Sequence, residues 1–240
     1  MISSTQNTTS TSISSIELVA IGDCNTSGTD NYNVPVSLAR LISESTNIKC
    51  NLQNLGDAMN TSREGLLKAS HLTHHPDIAL LSFGLVDAWT TTIPSIYISY
   101  YPDSYYKRRS RKLLKSIKKK LRSPVFRKYL PTGVVVSEHE FQRNIEKIIS
   151  TLKIKNPNIK LLFWGAPPVE DEPRNTHLVS YNKILRDSAK KHKGEYINTR
   201  EIVCQLSRNE MFDDPVHLSQ KACNHIAQSM LPFALNLLKL

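Results

Sequence analysis

The sequence predicts an α/β domain: a three-layer α/β/α sandwich with helices on both faces of a mostly parallel sheet of about five strands. Three observations lead there. Short apolar runs alternate with amphipathic stretches along most of the chain, the order that builds a parallel sheet. The runs are continuously apolar, as in strands buried on both faces. The chain has 240 residues, enough for one sizeable core and short for two. Right-handed crossovers then restrict the topology to a doubly wound sheet, whose site lies beyond the carboxyl ends of the strands.

The elements follow in order. Residues 1–15 are rich in Ser, Thr and Asn and read as a disordered lead, with no basic start or apolar core of a secretory signal. The domain spans 16–240. Ile16 to Ile21 is an apolar run ending in Gly-Asp, hence the first strand. Asn25 to Asn33 is a polar loop. Val34 to Ser43 has apolar residues at helical spacing, Cys50 to Leu55 fits a second strand, and Thr61 to Ser70 fits a helix capped by Thr61 or Ser62. Ile78 to Phe83 is the third strand. Glu138 to Leu152 is an amphipathic helix, Lys160 to Trp164 a fourth strand, Thr176 to Lys191 a helix, Glu195 to Ile197 a fifth strand, and Leu218 to Leu238 the closing helix. The site rule therefore selects Gly22–Cys24, Gly56–Thr61 and Gly84–Asp87.

Trp89 to Pro131 breaks the alternation and is too long for an ordinary connection, so it reads as an insertion at about 89–131. It carries six of the nine tyrosines, then Lys107 to Arg122, a basic helix with Leu113, Leu114, Ile117 and Leu121 on one face. Residues 107–128 hold 12 of the 31 Lys and Arg and no acid, leaving 19 basic against 21 acidic residues elsewhere. The net charge of +10 is thus local. Three readings of this helix compete. It lies on an anionic membrane surface, it binds an acidic polysaccharide or other polyanion through 104–128 (nucleic acid is not expected), or it is a lid packed by its Leu/Ile stripe.

Composition excludes some classes. No apolar run is long enough to span a membrane. Phosphate-loop, dinucleotide and zinc-protease motifs are absent. Four cysteines without a C-x-x-C pair fit free thiols, and a cytoplasmic place, peripheral to the membrane if the basic helix binds lipid, is expected. His71, His74 and His75 sit at a helix end with no Cys or acid spaced to complete a site, so no metal is expected.

Two motifs carry chemistry. Gly22-Asp23-Cys24 follows the first strand directly, and Cys is a strong nucleophile when an imidazole holds it as thiolate. Asp214-Pro215-Val216-His217 stands before the last helix, where the carboxylate can orient one ring nitrogen and leave the other as base. The bland readings are a small buried Cys24, a capping His217, and Asp23 and Asp87 that fix loop backbones.

Together these residues resemble the SGNH, or GDSL-like, hydrolases. The first block, Gly-Asp-Ser, matches Gly22-Asp23-Cys24 with Cys in the Ser place. The second resembles Asn54-Leu55-Gly56-Asp57-Ala58-Met59-Asn60-Thr61, the third Gly84-Leu85-Val86-Asp87, and the last is Asp214-Pro215-Val216-His217. The resemblance implies acyl-ester chemistry by Cys24, His217 and Asp214. The oxyanion and substrate positions are Met59, Asn60, Asp87, Asn25 and Val86. Three departures stand out. Cys24 replaces Ser. Met59 replaces the oxyanion Gly but keeps its N–H. Val86 replaces the oxyanion Asn, a type of loss that costs about 10²–10³ in kcat. Asn25, Asn60 and Trp89 are the candidate substitutes. The implied function is O-deacetylation or O-acetyl transfer on a carbohydrate such as a surface-polysaccharide precursor. No cofactor is implied beyond an acyl donor such as acetyl-CoA for a transferase. The alternatives are an inactive binding module on the same fold and an adaptor acting through the basic helix.

Overall fold

The computed structural model describes residues 15–28, 32–120 and 129–240. Five parallel strands form the central sheet: β1 (Ser15–Gly22), β2 (Lys49–Asn54), β3 (Ile78–Ser82), β6 (Lys160–Trp164) and β7 (Glu195–Ile197), in the order β2-β1-β3-β6-β7. Ile16 pairs with Cys50 and Leu18 with Ile78, so β1 is central. The chain reverses direction across the sheet between β1 and β3, and the crevice at their carboxyl ends is where a doubly wound sheet binds its ligand.

Strands β1, β3 and β6 are largely apolar because both their faces are covered, whereas the edge strand β2 is mostly polar and half-buried. Val19, Ile21, Ala79, Leu81, Leu161 and Phe163 point to one face, against α3 (Ser62–Ser70), α5 (Glu138–Lys155) and α6 (Glu172–Lys191). Ile16, Leu18, Ala20, Ile78, Leu80, Leu162 and Trp164 point to the other, against α2 (Val34–Thr46) and α9 (Gln220–Leu238). The period-two alternation thus serves two cores rather than one core and water.

Several sequence expectations are corrected. The loop expected over 25–33 opens with a single helical turn, α1 (Cys24–Ser27), because the Asp23 carboxylate caps the Asn25 N–H at 3.1 Å. Helix α6 starts four residues before the expected Thr176, with Asp171 as N-cap and Pro173 in the first turn. Two short helices, α7 (Thr199–Val203) and α8 (Arg208–Met211), were not expected. In the long segment after β3, β4 (Thr90–Thr92) and β5 (Thr132–Val134) pair antiparallel, so the chain leaves and returns at one point. Between them lies α4 (Tyr105–Lys120). Of the lead expected over 1–15, Ser15 already belongs to β1, and residues 1–14, like the segment 121–128 with Leu121, lie outside the described residues.

Candidate active site

The site is assembled at the carboxyl end of β1. Cys24 is the first residue of α1, half-buried against the core, and its neighbours are locked on every side. Asn60 Nδ2 donates to Gly22 O at 3.3 Å, and Asn54 Nδ2 to Thr26 O at 2.9 Å. Gly56 lies directly against the Thr26–Ser27 backbone, where a Cβ would stand 2.3 Å from Ser27 N. The second block is therefore the floor on which the Cys24 turn rests.

His217 arrives from the far end of the chain. Its Nδ1 lies 2.5 Å from Asp214 Oδ2, while Asp214 Oδ1 accepts from the Val216 and His217 amides at 2.8 Å each. Burial works against the Asp214 charge, but the His217 ring and these two amides outweigh it and hold the carboxyl below its ordinary value. An ionised Asp214 fixes the proton on Nδ1 and leaves Nε2 as acceptor, the arrangement a general base needs.

Asn25 joins the two motifs. Its Nδ2 donates to Val216 O at 3.2 Å and its Oδ1 accepts from Leu218 N at 3.1 Å. The residue after Cys24 thus grips the backbone on both sides of His217. Burial of the Cys24 thiol outweighs the backbone amides of Cys24 and Asn25, which face it and favour its ionised form. Burial, with the Asp23 charge second, pushes its ionisation well above the usual thiol range. Burial thus favours the protonated thiol over the thiolate.

The remaining positions divide by role. Met59 adopts φ +59°, the left-handed conformation that glycine tolerates best, at the place where the resemblance puts a glycine. Among the described residues its N–H meets no backbone acceptor. The Tyr97 hydroxyl donates to Met59 O at 2.7 Å and steadies this peptide. Val86 is buried and brings no donor. Asp87 is wholly buried and accepts from Ser62 N at 2.9 Å and Gly84 N at 3.3 Å, joining the third block to the cap of α3. Asn60 is wholly buried too, with Oδ1 unpartnered among the described residues. Among the described residues no group of three or more His, Cys, Asp or Glu is placed to hold a metal, and His71 and His75 turn to backbone carbonyls.

Arg174, in the first turn of α6, was missed. Its guanidinium stands 5.6 Å over the Trp89 ring and its Nε 3.4 Å from Asp171, and its charge is felt at Asp23 and Cys24. An Asp-x-Pro start at 171–173 was the available signal for a helix beginning there.

Asp23 carries a pH signature. Burial raises its carboxyl from 3.8 to about 7, with Asp87 adding to the rise, and its Oδ2 has no partner among the described residues. The folded state thus keeps a proton that the unfolded chain releases near pH 4. Stability is full below that pH, falls as pH climbs towards about 7, and is flat above. Asp23→Asn preserves the cap on Asn25. It should raise unfolding free energy at about pH 8 more than at about pH 5, by denaturant titration at each pH. Asp87, raised to about 6 mainly by burial, keeps part of the slope. A variant whose pH slope matches the parent's would assign the slope elsewhere.

The comparisons agree with this architecture. The acetylxylan esterase Axe2 of Geobacillus stearothermophilus superposes with a TM-score of 0.62 at 16% identity, covering 92% of this chain and 94% of that one. The lipase/acylhydrolase of Enterococcus faecalis gives 0.61 at 15% identity, covering 90% and 96%. TesA gives 0.61 at 12% identity, covering 92% and 99%. No curated protein matches the chain. The family model for GDSL-like lipases and acylhydrolases matches residues 20–223, from the end of β1 through the His217 motif, and the chain belongs to that family of ester hydrolases.

Proposed function

We propose that this protein removes or transfers an O-acyl group, acetyl foremost, on a carbohydrate, with Cys24 as nucleophile, His217 as base and Asp214 as its orienter. The observation that carries the reading is the Asn25 clamp, which fastens the base loop to the residue after the nucleophile. Because the thiol is protonated at rest, it reacts as a hydroxyl would. His217 Nε2 takes the Sγ proton as Sγ attacks the acyl carbon, and the oxyanion is received by the N–H groups of Cys24 and Met59. His217 then gives that proton to the departing sugar oxygen, leaving an acyl thioester on Cys24. Water or a second sugar hydroxyl, deprotonated by His217, attacks the thioester and frees the thiol. Water makes the protein an esterase; a hydroxyl makes it a transferase, and where the donor is one such as acetyl-CoA the group that departs in the first step, taking the proton from His217, is the CoA thiol. The carbohydrate is suggested by the acetylxylan esterase among the structural neighbours and by Trp89 and Tyr97 beside the site. A cytoplasmic precursor of a surface polysaccharide is the substrate we favour.

A second reading is a binding module on the same fold, favoured by the donorless Val86 and the raised thiol. A panel of aryl acetates and acetylated oligosaccharides separates the two. Wild type should turn over, Cys24→Ala should lose about 10³-fold or more, and Cys24→Ser should retain measurable turnover because the same proton acceptor serves either nucleophile. Products analysed with an added sugar acceptor distinguish hydrolysis from transfer. Wild type no faster than Cys24→Ala on every ester would leave the binding module standing.

A further inference from the structure

We propose that α4 is an interfacial helix that docks the protein on a lipid surface rich in anionic headgroups. The helix carries nine Lys and Arg and no acid over Tyr105–Lys120. Its inner side is fastened by cations rather than by apolar packing. Lys107 Nζ donates to Tyr101 O at 2.9 Å, Arg111 Nη1 to Ser99 O at 3.2 Å, and Lys118 Nζ to Thr91 Oγ1 at 3.2 Å. Arg111 also stacks on Tyr100 at 4.4 Å and pairs with Asp103. Among the described residues no α4 side chain joins either core.

The apolar stripe is left in water. Leu113 is 62% exposed, Ile117 38% and Tyr106 80%, while Leu114 alone is half-buried. Spacings of seven and four residues put Tyr106, Leu113 and Ile117 on one side of the helix. Exposed cations continue round the helix from one edge of this stripe, Arg109 nearest and Lys112, Lys119 and Lys115 beyond it, while the other edge borders the inner side. A lid held by this stripe would have buried it.

The occupant must therefore offer anions and hydrocarbon together. A soluble polyanion neutralises the cations and leaves Leu113 and Ile117 wet. A second copy covers the stripe only by bringing nine cations against nine. A bilayer with anionic headgroups places phosphates at the level of the Lys and Arg and acyl chains below, where Leu, Ile and the Tyr ring enter. Among the described residues no helix is long and apolar enough to cross a membrane, so α4 would lie in the interface plane.

The test is flotation of the full chain with vesicles of phosphatidylcholine alone and with added phosphatidylglycerol, and binding to heparin as a soluble polyanion. Each is measured at about 0.05 M and about 0.5 M salt. Wild type should bind the anionic vesicles at least about ten-fold more tightly than the neutral ones, and high salt should weaken this. Leu113→Ser/Ile117→Ser should lose about ten-fold on vesicles and nothing on heparin, because it removes the inserted groups and keeps the charges. Lys112→Gln/Lys115→Gln/Lys119→Gln should weaken both. Circular dichroism and hydrolysis of a soluble ester, unchanged in all variants, show that the fold is intact. Wild type that ignores anionic vesicles, or a Leu113→Ser/Ile117→Ser variant that floats like the parent, would overturn the proposal. So would wild type that self-associates through α4 without lipid.

Discussion

Replacing His217 with alanine is expected to lower kcat on a soluble acetyl ester by about 10³-fold or more, with KM little changed. In the proposed mechanism the Cys24 thiol, whose ionisation burial disfavours, gains nucleophilic power only as its proton passes to Nε2 of His217, the ring nitrogen that Asp214 leaves free. Asp214→Asn should cost about 10²–10⁴-fold by a different route. An amide at 214 can donate to Nδ1 and stabilise the tautomer whose proton sits on Nε2, where it cannot accept. Because the residues act as a unit, Cys24→Ala/His217→Ala should be no slower than the worse single variant. Steady-state kinetics with circular dichroism on each protein decide the matter. A His217→Ala enzyme within ten-fold of wild type would mean that another group is the base.

Gly56→Ala should destabilise the fold by about 3 kcal/mol and take activity with it. A methyl there would sit 2.3 Å from Ser27 N and 2.6 Å from Thr26 C, and both are backbone atoms of the turn that carries Cys24. Flexible side chains can swing away; a backbone pinned by Asn54 and Asn33 cannot. The midpoint of thermal unfolding should fall by roughly 10 °C for a chain of this size. The remaining folded protein should be slower because Cys24 moves relative to His217. A variant melting with the parent and equally active would show that the second block is free to withdraw.

How much of this was legible depends on how local the cause is. Strands β1, β3 and β6 were readable because continuous apolar runs between punctuating residues admit little else. The pairing of Asp214 with His217 was readable because three residues of separation close it. Helix α1 was hidden in a Cys-Asn-Thr-Ser stretch of low helix propensity, stabilised by an Asp23 cap and by burial of Asn25 and Thr26 that only the folded sheet provides. Arg174 was hidden with the first turn of α6, since apolar periodicity begins only at Leu178 and does not register a turn made of acids and proline. The stripe of α4 was legible as apolar, but whether it faces the domain or solvent was left open between a lid and a binding surface. Long basic side chains reach back to carbonyls at 99–101, a contact that periodicity does not register.

The Asn25 clamp has a consequence for how the molecule comes into being. It closes contacts across 191 and 193 residues of sequence, among the longest the chain can make. Such contacts form late, because their loop-closure entropy is met only after the intervening strands and helices have already condensed. During synthesis the Cys24 turn emerges early and waits for almost the entire chain before Asn25 can grip the backbone on both sides of His217. On the proposed mechanism, a nascent or partly unfolded molecule would therefore be unreactive until the fold is complete.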